Sequence, residues 1–221
     1  MKGRALVIGA SGGIGAALSR ALETGGAEVT RLSRAMDGLD LTDPALVEQV
    51  MQGLCGPFDT VLIASGILAP KGAGPEKSLA QISAENMAQV MAVNAIGPAM
   101  VLKNLPSLLP KDGRCVVGVL TARVGSIGDN RLGGWYSYRA AKAAANQIVR
   151  TAAIEIARKR KEAIVVSLHP GTVETTFTDG YPGHQKVAPN AAAANLLEVL
   201  DQLSPAQTGG FFDWAGKPVP W

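Results

Sequence analysis

Gly9-Ala10-Ser11-Gly12-Gly13-Ile14-Gly15 is the stretch that decides how this chain is read. Before it, Ala5-Leu6-Val7-Ile8 is a short, wholly apolar run that predicts a buried strand; after it, a helix is predicted from about Gly13 to Thr24. A glycine cluster alone predicts no more than a tight turn. Between the first strand and first helix of an α/β chain it predicts a phosphate cradle. Glycine lets the backbone turn sharply and approach a pyrophosphate, and the unpaired N–H groups opening the helix face the anion. The spacing is G-x-x-x-G-x-G, wider than the commonest dinucleotide motif.

The same alternation runs outward along the chain. Val29-Thr30-Arg31-Leu32, Thr60-Val61-Leu62-Ile63-Ala64, Cys115–Leu120, Ile164-Val165-Val166-Ser167-Leu168 and Gly209-Gly210-Phe211-Phe212-Asp213 are further candidate strands. The most apolar of them suit strands covered on both faces. Helices are predicted over 44–52 behind the cap Asp43, over 83–103 and over 138–161. Such alternation implies right-handed crossovers. The expected fold is α/β: a single-domain Rossmann-type doubly wound parallel sheet over residues 1–221, flanked by helices on both faces.

Composition fits that fold. The 221 residues are 47% hydrophobic and 18% charged, the range of a folded domain. A net charge of +3, with scattered basic residues and no aromatic-basic stripe, argues against nucleic acid. The densest basic run, Arg158-Lys159-Arg160-Lys161, closes the longest predicted helix and complements its dipole. Cys55 and Cys115 give no disulfide framework and no metal spacing, and fit reduced thiols. No signal-peptide leader and no apolar stretch of membrane-spanning length is read, so a soluble cytoplasmic protein is expected.

Two side chains carry the expected chemistry. In Tyr138-Arg139-Ala140-Ala141-Lys142, Tyr138 and Lys142 lie one helical turn apart and share a face. A phenol near pKa 10 is a poor proton shuttle at neutral pH, and a neighbouring ammonium favours the phenolate. Tyr136 has Ala140 one turn on and lacks the cation. At the end of the second strand, where the fold meets the adenosine ribose, stand Ser33-Arg34 and no acid. An arginine there accommodates a 2′-phosphate, so NADP(H) is expected over NAD(H), although Arg34 also reads as a solvated loop charge.

The wide glycine spacing followed by this Tyr–Lys pair resembles the short-chain dehydrogenase/reductase family, over essentially the whole chain. Tyr136-Ser137-Tyr138-Arg139, His169-Pro170-Gly171-Thr172-Val173 and the tail from Phe211 to Pro220-Trp221 are similar to its small group of sniffer-type carbonyl reductases and bacterial C-factor-like proteins. The resemblance implies hydride transfer between nicotinamide and a small carbonyl or alcohol. Tyr138 and Lys142 would be the acid/base pair, with Asn94 holding a relay water. It also implies cofactor contacts from Gly9, Ser11, Gly12, Gly13, Ile14 and Gly15, from Asp40-Leu41 at the adenine and from Ala64-Ser65-Gly66. Pro170, Gly171 and Val173 would meet the carboxamide, and Thr175 the pyrophosphate. Ile8 stands where the family often has threonine. The family's catalytic serine falls on Ala122, leaving Thr121, or else Ser126, as substitute donor. His169 reads as a packed histidine, and Trp135, Tyr136, Phe177 and Tyr181 as a partly aromatic pocket. Residues 177–186, with Tyr181, Pro182 and His184, read as a lid. The long helices at 83–103 and 138–161 are where a homodimer or homotetramer would form. A non-catalytic dinucleotide-binding sensor on the same scaffold is the alternative.

Overall fold

Among the described residues six strands line up side by side, all parallel, in the order β2-β1-β3-β4-β5-β6. They are β1 (Gly3–Ile8), β2 (Ala27–Leu32), β3 (Thr60–Ile63), β4 (Cys115–Leu120), β5 (Ala163–His169) and β6 (Phe211–Asp213). The computed structural model describes residues 2–180 and 185–221. β3 and β4 are buried along their whole length, which is why their sequences are apolar without alternation.

The helices are α1 (Gly13–Thr24), α2 (Arg34–Asp37), α3 (Pro44–Gln52), α4 (Ala84–Met91), α5 (Gly97–Asn104), α6 (Tyr136–Lys159) and α7 (Pro189–Gln202). One face of the sheet packs Val117, Val119 and Val165 against Val47 of α3, Val101 of α5 and Val149 of α6. The other packs Val7, Val166 and Leu168 against Leu18 and Leu22 of α1 and Leu196 and Leu200 of α7. Rossmann-like layering is thus built from two apolar cores, one on each side of the sheet. No helix among the described residues is long and apolar enough to cross a membrane.

Two expectations need correcting. The single helix expected over 83–103 is α4 and α5 joined by a π-helical turn, Ala92–Ile96. Pro98 has no N–H to give the carbonyl of Asn94, four residues back, and the wider turn closes instead through Gly97 N–H onto the Ala92 carbonyl. α2 and α7 are absent from the expected elements. α7 nonetheless carries a helical signal: Pro189 at its first position, then buried Ala192, Ala193, Leu196, Val199 and Leu200.

The sheet order fixes where a site forms. From β1 the chain crosses to β2 on one side, then returns to β3 on the other. The crevice where the direction reverses lies beyond the C-terminal ends of β1 and β3.

Candidate active site

The glycine turn sits at that reversal. Gly9 and Ala10 donate their N–H groups to the Leu32 carbonyl, so the turn is pinned to the end of β2. Close packing explains the glycines. A Cβ on Gly15 would stand 2.2 Å from the Gly9 carbonyl oxygen, and one on Gly9, at φ +84°, 2.8 Å from the backbone of Ala64 and Ser65. A Cβ on Gly13 would meet the Thr175 methyl at 2.5 Å, which places Thr175 against the turn. The turn fits a dinucleotide pyrophosphate: backbone packed too tightly for side chains, opening an uncapped helix N-terminus.

A cavity of about 380 Å³ opens beside the turn. Gly12, Gly13 and Ile14 line one end, with Ala64, Ser65 and Gly66 after β3. Thr121 and Ala122 after β4 and Pro170, Gly171, Val173 and Thr175 after β5 form its walls. Tyr138 and Lys142 project into it from α6. Trp135 and Phe177 flank the phenol, their rings 6.1 and 5.8 Å from that of Tyr138. Tyr136 does not line the cavity. Of the expected lid, 177–180 and 185–186 are described; Tyr181, Pro182 and His184 lie outside the described residues.

Tyr138 and Lys142 are both buried, and the ammonium stands 5.7 Å from the phenol ring centroid. Lys142 Nζ donates to the Leu120 carbonyl at 2.9 Å. Burial brings the lysine pKa down to about 8. Burial also pushes the phenol of Tyr138 above its ordinary value. The downward pull of Lys142 expected from spacing is therefore not the dominant effect; desolvation of the phenolate is. Asn94 sits fully buried in the π turn. Its Oδ1 accepts from Ile67 N–H at 2.9 Å and its Nδ2 donates to the Ile67 carbonyl at 2.7 Å, so the amide holds backbone where a relay water was expected. A Cβ on Gly66 would lie 2.9 Å from Asn94 Oδ1 and 3.4 Å from Lys142 Nζ, so both side chains converge on that glycine.

Ala122, the position at which a catalytic serine was expected, lies in one apolar cluster with Val90, Tyr138 and Ala141. Thr121 lines the cavity with a buried hydroxyl that has no hydrogen-bond partner among the described residues. Ser126 is committed elsewhere: its Oγ accepts from Asp129 N–H. Ser65 Oγ and His169 Nδ1 are likewise buried beside the cavity without partners among the described residues. His169 is thus a wall of the site and not only a packed side chain. Burial, helped by Arg123 and opposed by Asp213, lowers its pKa to about 4, so it is neutral at pH 7.

The residues expected around the adenosine half do not line this cavity. Ser33 caps α2, its Oγ accepting from Met36 N–H. Its own N–H donates at 2.8 Å to the carboxylate of Asp37, so this region contains an acid that reading Ser33-Arg34 alone does not show. Arg34 is exposed. Asp40 Oδ1 accepts from the Thr42 hydroxyl and N–H, bonds that with the charge of Arg34 hold its carboxyl below the usual range. Leu41 is buried against Gly97. Sequence reasoning missed Glu76 altogether: its carboxylate is buried at the start of α6, and no local pattern announces a contact across 61 residues.

A doubly wound sheet with a tightly packed glycine turn at its reversal point, and ionisable side chains buried in the adjoining crevice, is the arrangement of a dinucleotide-binding α/β protein. Residues 9–206 match the family described as enoyl-(acyl carrier protein) reductase. A 1-hydroxy-2-glutathionyl-2-methyl-3-butene dehydrogenase from Rhodococcus sp. (strain AD45) is 31% identical over 98% of both chains. C-signal of Myxococcus xanthus is 35% identical over 75% of this chain and 94% of its own. The crystal structure of a carbonyl reductase from Pseudomonas aeruginosa PAO1 in complex with NADP superposes with a TM-score of 0.82 at 25% identity, covering all of both chains. The chain belongs to the short-chain dehydrogenase/reductase family.

Proposed function

We propose that this chain is an NADP(H)-dependent oxidoreductase acting between a small carbonyl compound and its alcohol, with Tyr138 as proton donor. The observation that carries the reading is the shared cavity: the glycine turn, Tyr138 and Lys142 all line it. The NADP in the similar Pseudomonas carbonyl reductase supports a nicotinamide dinucleotide, and Arg34 supports the phosphorylated form. When bound, that cofactor supplies or accepts the hydride.

This chain's own residues bind, orient and move a proton. Gly9, Ser11, Gly12, Gly13, Ile14 and Gly15 cradle the pyrophosphate with Thr175. Ser33 and Arg34 take the 2′-phosphate, Asp40 and Leu41 the adenine, and Pro170, Gly171 and Val173 the carboxamide. Ala64, Ser65 and Gly66 leave room for a flat ring against the backbone. Tyr138, kept protonated by burial, donates to the substrate oxygen as negative charge develops there. Lys142, cationic below about pH 8, stabilises the phenolate left behind. Asn94 fixes the Ile67 backbone, and with it Gly66, against the lysine. The unpartnered hydroxyl of Thr121 replaces the serine that Ala122 lacks, donating to the same substrate oxygen.

The test is consumption of NADPH and NADH across a panel of aldehydes, ketones and quinones. NADPH-dependent turnover is expected, and Tyr138→Phe should abolish it while NADPH still binds. Failure of both dinucleotides to bind refutes the reading. Ala122 favours a second reading, a dinucleotide-binding signalling protein without turnover, and the likeness to C-signal fits it. On that reading no carbonyl is reduced and Tyr138→Phe leaves signalling intact.

A further inference from the structure

We propose that Glu76 is a positioning residue: its buried carboxylate clamps the first turn of α6 and thereby holds Tyr138 where proton donation requires it. This rests on Tyr138 being the proton donor of the function proposed above. Glu76 lies in the segment after β3, whose first residues line the cavity, and it is only 6% exposed. Three bonds reach it from the start of α6. Trp135 N–H donates to the Glu76 carbonyl at 2.5 Å, Ser137 N–H to Oε2 at 3.2 Å, and the Ser137 hydroxyl to Oε1.

The N-terminal end of α6 lacks a local side-chain cap. Gly133, Gly134 and Trp135 are three consecutive residues at positive φ, so no regular element leads into the helix. Trp135, at the cap position, gives no side-chain cap to the free N–H groups of the first turn. Glu76 does from 61 residues away what a capping side chain does locally, and puts an anion at the positive end of the helix dipole. No ion pair to this carboxylate is found among the described residues. A buried charge in that position persists only where hydrogen bonds answer it. Burial pushes its pKa up, and the bonds from the Ser137 hydroxyl and from backbone N–H groups more than reverse that, so the clamp is an ionised carboxylate.

The clamped residues flank the proton donor. Ser137 precedes Tyr138 directly, and the Trp135 ring packs edge-on against the phenol. Arg139 anchors the other side of the loop, its guanidinium donating to the carbonyls of Gly133, Gly134 and Val124. The helix therefore keeps these attachments, and the bond from Trp135 N–H to the main-chain carbonyl of residue 76, when the Glu76 side chain is removed. What the carboxylate adds is the exact seat of one turn, and a misplacement of about 1 Å at a reacting group costs on the order of a hundredfold in rate.

The experiment compares full-length Glu76→Ala, Glu76→Gln and Ser137→Ala with the native chain. Readouts are kcat and KM for a carbonyl substrate, the NADPH dissociation constant and thermal unfolding. For Glu76→Ala, kcat is expected to fall roughly tenfold to a hundredfold. NADPH affinity and KM should stay within about twofold, the pattern of an interaction used in the transition state. Ser137→Ala should reproduce part of the loss. Glu76→Gln should recover part of it, because its amide oxygen still accepts from Ser137. Unchanged kcat in Glu76→Ala, with or without a lower unfolding temperature, overturns the inference and leaves the proposed function standing. A native chain that binds NADPH yet reduces no carbonyl overturns both.

Discussion

At the level of single residues, the decisive pair is Thr121 and Ala122 at the end of β4. Ala122 shares an apolar cluster and a cavity with Tyr138 and offers a methyl group and no hydroxyl there. Thr121 holds a buried hydroxyl with no partner on the cavity wall. An unsatisfied buried hydroxyl costs about 1–3 kcal/mol, a cost that a substrate oxygen would relieve. Thr121→Val is therefore expected to lower kcat roughly tenfold or more while leaving thermal stability equal or higher, since one donor to developing charge is lost. Ala122→Ser in that background should restore rate if the family geometry is otherwise intact. Steady-state kinetics with one ketone checks both. Equal rates in native chain and Thr121→Val would remove Thr121 from the mechanism.

At the level of elements, the β1–α1 turn separates two roles of glycine. A Cβ on Gly15 would collide with the Gly9 carbonyl oxygen at 2.2 Å, whereas one on Gly12 would lie 3.4 Å from the same atom, in ordinary contact. Gly15→Ala should destabilise the fold by about 1–3 kcal/mol, measured by denaturant unfolding. Gly12→Ala should fold normally and lose NADPH affinity, because Gly12 lines the cavity. Both positions are legible in sequence as glycines of one cluster; that Gly15 is closed to a side chain by its own turn while Gly12 has room for one is not. The long helix ahead of Asn94 shows the same limit. Gly97-Pro98 signals a disturbance, but the resulting π turn is set by which carbonyl Pro98 leaves unanswered and by the Leu41 side chain pressed 2.7 Å from where a Gly97 Cβ would be.

For the whole molecule, two buried bases tie stability to pH. His169 has a folded pKa of about 4 against an ordinary 6.5. Between those values the unfolded chain binds the extra proton, so stability present above pH 6.5 is lost as pH falls toward 4. His169→Phe should flatten that acid limb in a melting-temperature series. Lys142, at about 8 against 10.5, binds its proton less well when folded. The contribution of Lys142 to stability should rise with pH from about 8 toward 10, against the opposite pull of the buried Cys115 thiol, and Lys142→Met should lose that contribution. What the sequence by itself determined was everything encoded in short windows. All six strands, the glycine turn, the cap at Asp43 and the spacing of Tyr138 and Lys142 follow from local apolar runs, turn chemistry and helical period. Only the tertiary structure decided that Glu76 reaches the start of α6, that Asn94 grips Ile67 and that burial outweighs Lys142 in setting the phenol. The physical reason is range. Backbone geometry and burial period act between near neighbours and leave a pattern in the chain. A hydrogen bond to a buried polar group, or the desolvation of a phenol, depends on which distant residues the packed sheet and helices bring into contact.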